Sequence, residues 1–563
     1  MKSNRILFLV FVIMMSLWVV NTQPVMSQSS GTIYIRADGT VEGTDKIQRD
    51  GNVYRFTDDI YDSIVVERDN IVVDGAGYTL QGTEVPDSRG IYLSGIDNVT
   101  IKNMIIEAFR YGILIEDSSN NRITGNKIMN SVLSGIELAE SSNNNYISEN
   151  QIDSDERSLL SRGILLTSSS KNSIHGNIIA NNFEGILLKW SSENIISGNK
   201  LTNNEVGIQL ENSSEDNTFY GNNITNNGIG IYLRFCMHTK TTISENNVTN
   251  NNVGISIDWS SNNLLRNNRM TNNKYNFNVE DGPLSYLIND VDESNTVDGK
   301  PIYYWVNQRD KTIPSDAGYV ALVDCTNITV QNLNLVNNKQ GILLAHTTNS
   351  KVTKNNITNN GEGVFLANSS YNTINENNIK ANYRGIELGE NSHNNSIFGN
   401  QIEASVSAGI NLFAASNNSL IGNNITKNNV GIGFSGSQNN IIHHNNLINN
   451  TKQVNDAYYV LLFGSPSVNI WDNGSEGNYW INYTGVDKDG DGIGDTPHII
   501  YENNQDSYPL MEPFIIPEFP SWTPMLLILI GLAVALAIYK RRLLKTPTSN
   551  NEHARREFGE LHP

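Results

Sequence analysis

Only two cysteines occur in 563 residues, Cys236 and Cys325, far apart in the chain and in no CxxC pair. That excludes a disulfide framework and a zinc knuckle, and leaves both thiols as packing residues. Basic residues are also scarce: 39 Lys and Arg stand against 58 Asp and Glu, for a net charge of −19. Such a surface repels phosphate backbones, so nucleic acid is excluded as a partner, and polyanionic polysaccharide would need a bridging cation. Long apolar runs are missing from everything but the two ends.

Those ends read as membrane signals. Lys2 and Arg5 precede the apolar run Ile6–Val20, and Val25-Met26-Ser27 offers small residues for cleavage, so 1–27 reads as a signal peptide. After a linker at 513–521, residues Trp522–Tyr539 form an apolar stretch long enough to span a bilayer as a transmembrane helix. Lys540-Arg541-Arg542 follow at once, which assigns the tail 540–563 to the cytoplasm and the bulk to the extracellular face. N-x-S/T sequons, among them Asn98, Asn223, Asn247, Asn356 and Asn424, are compatible with glycosylation of an exported chain.

What fills the space between is one phrase repeated. A Gly-Ile pair recurs at Gly90, Gly112, Gly135, Gly163, Gly185, Gly207, Gly230 and Gly254. It resumes at Gly341, Gly363 (followed by Val364), Gly385, Gly409 and Gly431, most steps being about 22–24 residues. A fixed period in this range marks a repeat architecture. Within a unit, aliphatics alternate with polar residues over three or four positions and then a turn intervenes, which is the period of a short strand. Three such strands per unit predict an all-β fold, the parallel β-helix. About six inward aliphatics per coil cannot offset the ordering of its backbone, so a coil is stable only when stacked. Asn at the same turn of successive coils (Asn126, Asn150, Asn177, Asn199, Asn222, Asn246) predicts an amide ladder. Asn also suits the left-handed backbone of sharp corners. The repeat marks place an N-terminal cap at 28–70, a first block at 71–275, and an irregular enlarged coil at 276–317. A second block follows at 318–450 and a C-terminal cap at 451–512.

The repeat, with NIVVDGAGYTLQG near its start and GNYWINYTGVDKDGDGIGDTP near its end, resembles the NosD-like right-handed β-helix proteins over most of residues 32–512. These belong to a broader group of carbohydrate-binding and sugar-hydrolase β-helices. Pro517-Glu518-Phe519 before the apolar span is similar to an archaeal sorting signal, although the tail Thr546–Pro563 is longer than such signals carry. The resemblance implies an archaeal surface-anchored protein. For members named after nitrous oxide reductase maturation it also implies copper delivery.

Five groups of residues stand out from the repeat. In DKDGDGIGD, Asp487, Asp489, Asp491, Gly492 and Asp495 match positions 1, 3, 5, 6 and 9 of an EF-hand loop, with His498 where the final Glu would stand. That predicts a looser, structural Ca²⁺ site, since the carboxylates repel one another without an ion. Four residues after the marker glycines, successive coils carry Lys189, Glu211, Arg234 and Asp258, an ion-pair ladder. One position further lie Trp190, Asn212, Phe235 and Trp259; the aromatics Trp190, Phe235 and Trp259 form a candidate glycan-stacking row. Asp117 and Glu140 share that register on adjacent coils, about 5 Å apart, which is the spacing of a retaining glycosidase pair. Cys236, Met237 and His238 replace the usual Ser-Ser corner with donors that suit Cu(I). The sequence reads as a non-catalytic surface protein that binds glycans or neighbouring surface-layer proteins. A polysaccharide hydrolase or lyase, and a copper-binding accessory protein, stand as the alternatives.

Overall fold

The computed structural model describes residues 31–83, 87–154, 160–212, 214–237, 240–456, 467–501 and 503–516. The segments expected to form the signal peptide, the membrane span and the cytoplasmic tail, and His238, therefore lie outside the described residues. Among the described residues no helix is long and apolar enough to cross a membrane.

The chain is an all-β, right-handed solenoid of about 18 turns. One coil shows the plan: Glu184–Lys189, Ile195–Ser197 and Lys200–Thr202 form its three strands, and Val206–Glu211 opens the next. Equivalent strands pair in parallel and in register, so Ile186 lies beside Ile208 and Ile208 beside Ile231. Because side chains alternate across a strand, each three-residue strand aims only its middle residue inward. The coil consequently aims Ile186, Leu188, Ile196 and Leu201 into the core, four aliphatics rather than six, while Leu187 is buried outside that core cluster.

The marker glycine is a steric requirement. A Cβ on Gly185 would sit 2.6 Å from the carbonyl oxygen of Gly207, and one on Gly207 would sit 2.6 Å from that of Gly230. Here the coils approach too closely for any side chain.

The Asn residues divide into two jobs. From Asn126 through Asn150, Asn177, Asn199, Asn222, Asn246 and Asn268 to Asn295, each Nδ2 donates to the next coil's Oδ1 at 2.8–3.0 Å. These side chains are buried, and their amides also satisfy backbone groups of preceding coils. The left-handed backbone falls on a different residue. In Asn203-Asn204, Asn226-Asn227 and Asn250-Asn251 the first member takes φ of 57°, 59° and 58°. The second member of each doublet is buried and hydrogen-bonded to the next coil.

Among the described residues the solenoid is interrupted once, and the boundaries differ from those read off the repeat. Ile33–Ile35 already pairs in parallel with Ile64–Val66, so the first block begins inside the segment expected to be a cap. An antiparallel hairpin, Ile47–Asp50 with Val53–Phe56, does fit a protected edge. The broad face of the first block ends at Tyr275–Val279. That of the second starts at Lys300–Val306, inside the stretch expected to be an enlarged coil. Tyr319–Val323 and Gln340–Ala345 are buried along their whole length. Val320, Leu322, Ile342 and Leu344 fill the second block's own core. Tyr319, Ala321, Val323, Leu343 and Ala345 on the opposite face join Phe277, Val279 and Leu287 of the first. The outer flank of the second block thus closes the open end of the first, with Phe277 edge-on to Tyr319 at 5.1 Å. At the far end the ladder Asn355–Asn377–Asn400–Asn423–Asn445–Asn478 finishes on Asp506. The Asp506 carboxylate accepts from the Asn478 backbone N–H and the Trp480 indole, both at 2.7 Å, and burial lifts its carboxyl to about 6.

Candidate functional site

The corner that closes each broad strand is where the repeat varies. Along the row Trp190, Asn212, Phe235, Trp259, every residue holds a left-handed backbone, with φ of 48°, 57°, 54° and 49°. Asn tolerates this conformation; a bulky aromatic is uncommon in it. Trp190 is 56% exposed and Trp259 42% exposed, with Phe235 half-buried between them. Phe235 meets Trp259 edge-on at 6.1 Å, and Tyr286 of the short helix Leu284–Leu287 stacks on Trp259 at 5.8 Å. Beneath the row the expected ion pairs form, Lys189–Glu211 at 2.9 Å and Arg234–Glu211 at 3.5 Å. Asp258 instead accepts from the Tyr232 hydroxyl at 3.0 Å.

Trp259 leads into a groove of about 620 Å³ at the junction of the two blocks. Five carboxylates line it: Glu280 and Asp281 from the end of the first block, and Glu362, Glu387 and Glu390 from the second. Phe365 and Phe413 continue the aromatic surface on the far side. Lys339 and Arg384 are committed to the carboxylates, at 3.2 Å from Glu362 and 2.8 Å from Glu387. Among the described residues no lysine or arginine pairs with Glu280, Asp281 or Glu390. Burial, and then the charges of Glu280, Glu390 and Glu387, raise the Asp281 carboxyl above its ordinary range. Burial also raises Glu362, against the pull of Lys339. One oxygen of Glu362, Oε2, is buried with no hydrogen-bond partner. The sequence reading missed this groove, because its walls come from coils far apart in the chain, from Trp259–Pro283 on one side and Lys339–Phe413 on the other, and share no local spacing.

The other candidates fall in different places. Asp117 and Glu140 lie on neighbouring paired coils, both exposed, both at left-handed corners, and neither lines the groove. Cys236 takes the position of Ser191 and Ser260 in the corner ladder. Its thiol sits against the Arg234 and Leu210 carbonyls as their hydroxyls sit against Lys189 and Asp258. The Cys236 side chain is fully buried and burial pushes the thiol up to about 12. Cys325 is likewise buried. Met237 is half-buried at the same corner. His443 and His444 face each other with Nδ1 atoms 3.0 Å apart, and His444 Nε2 is engaged by Glu476 at 2.6 Å. In the acidic loop, donor oxygens of Asp487, Asp489 and Asp491 lie within 4.8 Å of one another. Asp487 accepts from the amides of Gly490 and Gly492, and Asp495 accepts from that of Lys488 at 3.1 Å. His498 packs against Trp480 at 4.7 Å instead of turning toward the loop.

A family profile described as periplasmic copper-binding protein (NosD) matches residues 62–237 and 285–485, more than half of the chain. The chain belongs to the NosD family. A second profile, right handed beta helix region, matches residues 196–300 of this NosD-family chain. No curated protein matches it. Similar solved structures include the Dettilon tailspike protein gp208, at 16% identity over 54% of this chain and 59% of that one, with a TM-score of 0.32. DFA-IIIase from Arthrobacter chlorophenolicus A6 gives 15% identity, coverage of 43% and 58%, and a TM-score of 0.25. The A-module of mannuronan C-5 epimerase AlgE6 from Azotobacter vinelandii gives 12%, 72% and 89%, and 0.21. The chain spans less than two thirds of the length of the first two.

The family's description implies copper. The Cys236 thiol is fully buried inside a corner against the Leu210 and Arg234 carbonyls, and burial favours its protonated form, so it does not fit a Cu(I) donor. Among the described residues the one convergent group of three ligating side chains is the aspartate triad, which offers hard oxygens alone.

Proposed function

We propose that this NosD-family solenoid is a non-catalytic glycan-binding protein of the cell surface, anchored by its C-terminal apolar span. The aromatic corner row is its stacking platform and the inter-block groove is the end of its binding track. The observation that carries this reading is the backbone of Trp190, Phe235 and Trp259. Bulky residues held at φ near 50° where Asn would serve mark a site kept for something other than stability. Aromatic faces left open on a rigid scaffold are what sugar rings stack on. A glycan-array screen of the full-length chain tests it, with each bound glycan checked for cleavage. The expected result is binding without cleavage. Silence across the array would leave a structural surface protein in its place, and cleavage would move the reading to the hydrolase or lyase.

The acidic loop is proposed as a structural Ca²⁺ site. Gly494 donates to the Pro509 carbonyl at 2.8 Å and Met511 to that of Gly492 at 3.0 Å, so ordering the loop also fixes the end of the C-terminal cap. Free Ca²⁺ at a hundredfold excess over its dissociation constant is expected to stabilise the cap by about 2.7 kcal/mol, reversed by EDTA. Thermal unfolding with Ca²⁺, with Mg²⁺ and with EDTA measures it. Identical curves in Ca²⁺ and EDTA would rule the site out.

Copper binding is the second reading, supported by the family's description. It would use Met237 and His238 with a donor other than the Cys236 thiol. A Cu(I) titration of apo protein showing no uptake would end it.

A further inference from the structure

We infer that the inter-block groove takes a glycan carrying protonated amino groups, an inference that rests on the glycan-binding reading above. Aromatic rings and carboxylates line the same groove, which is the chemistry that receives a sugar ring and an ammonium together. Trp259, Phe365 and Phe413 offer apolar faces, while Glu280, Asp281, Glu387 and Glu390 bring negative charge into the same groove. Lys339 and Arg384 are already spent on Glu362 and Glu387, so they do not neutralise the remainder. The Glu362 side chain is 7% exposed, lines the groove, and leaves Oε2 without a donor. A buried carboxylate oxygen lacking a donor is costly, and a ligand N–H would relieve it. A charged donor does so best, since hydrogen bonds between ionised partners are roughly twice as strong as neutral ones.

The alternatives fit less well. A uronate chain would bring carboxylates against carboxylates. A bare divalent ion needs donors that converge on a point. Among the described residues three such side chains meet within 4.8 Å at Asp487, Asp489 and Asp491, and not in the groove. Charges spread over two solenoid blocks suit cations spaced along a chain.

Isothermal titration of the full-length chain with oligomers of glucosamine, N-acetylglucosamine and galacturonate tests the inference, with a lysine oligomer as a fourth probe. The glucosamine oligomer is expected to bind on the order of tenfold more tightly than the acetylated one, with no binding of the uronate. Asp281→Asn and Glu390→Gln leave the Lys339–Glu362 contact in place. Each is expected to remove most of that preference, weakening the glucosamine oligomer more than the acetylated one. Glu362→Gln should remove it further, and circular dichroism checks that it folds. Equal affinity for the two sugars, weakened for both by Trp259→Ala, would overturn the amine preference and leave the glycan reading standing. No binding of any saccharide would overturn both. Binding of the lysine oligomer as tightly as glucosamine would assign the groove to a cationic peptide instead.

Discussion

Asn222→Asp is expected to cost little in acid and about 4 kcal/mol more near pH 8. The wild-type amide is fully used. Its Oδ1 accepts the Asn199 backbone N–H and Asn199 Nδ2, both at 3.0 Å, while its Nδ2 donates to the Ile196 carbonyl and to Asn246 Oδ1, both at 2.9 Å. A protonated Asp keeps the two accepted bonds and serves one of the two acceptors, so the loss in acid is that of one hydrogen bond, about 1–2 kcal/mol. An ionised Asp sets a carboxylate oxygen against two other oxygens in a site 1% exposed. The folded-state pKa is therefore raised above the unfolded value of about 3.9. With the folded pKa raised, stability is fully present below the unfolded pKa and is lost as pH rises toward the folded one. The loss runs at about 1.4 kcal/mol per pH unit, and a shift of about 3 units gives the predicted figure. Denaturant unfolding of both proteins near pH 4 and near pH 8 reads it as a pH-dependent gap in midpoint. An equal gap at both pH values would show that water reaches the ladder.

That ladder was legible in the sequence because it is local and periodic: one residue type returns at one turn, about 22–24 residues on. The same holds for the marker glycines, whose Cβ would strike the next coil's carbonyl. What the spacing does not distinguish is which Asn of a doublet takes the left-handed corner, since Asn203 and Asn204 are the same letter with opposite tasks. The junction was hidden for a different reason. Packing the outer flank of the second block onto the first depends on residues with no repeat partner. Its trace is faint: Ala321, Leu343, Ala345 and Ala367 are apolar on a face where earlier coils carry Glu137, Gln209 or Tyr232 but also Leu114, Leu165 and Leu187. A strand apolar on both faces reads as buried on both faces, and YVALV is that signal. The groove follows from the junction, so it could not be seen before it.

Trp190→Asn is expected to make the protein more stable and worse at binding. The repeat itself supplies the control, since Asn212 occupies the same corner one coil later with φ of 57° against 48° for Trp190. A left-handed non-glycine residue of this bulk costs on the order of 1 kcal/mol, which Asn largely relieves. The indole is 56% exposed, so its removal forfeits little burial in return. Unfolding should therefore shift upward by about 1 kcal/mol. A tryptophan that anchors a ligand contributes about 2 kcal/mol or more, so affinity for the array's best glycan should fall at least about thirtyfold. Trp259→Ala should show the same loss of binding without the gain in stability, because Phe235 and Tyr286 both pack on that ring. Opposite signs for stability and affinity in one substitution are what a binding residue imposed on a scaffold position produces. If Trp190→Asn instead destabilises the fold and leaves affinity unchanged, the indole is a packing residue and the corner row is not the site.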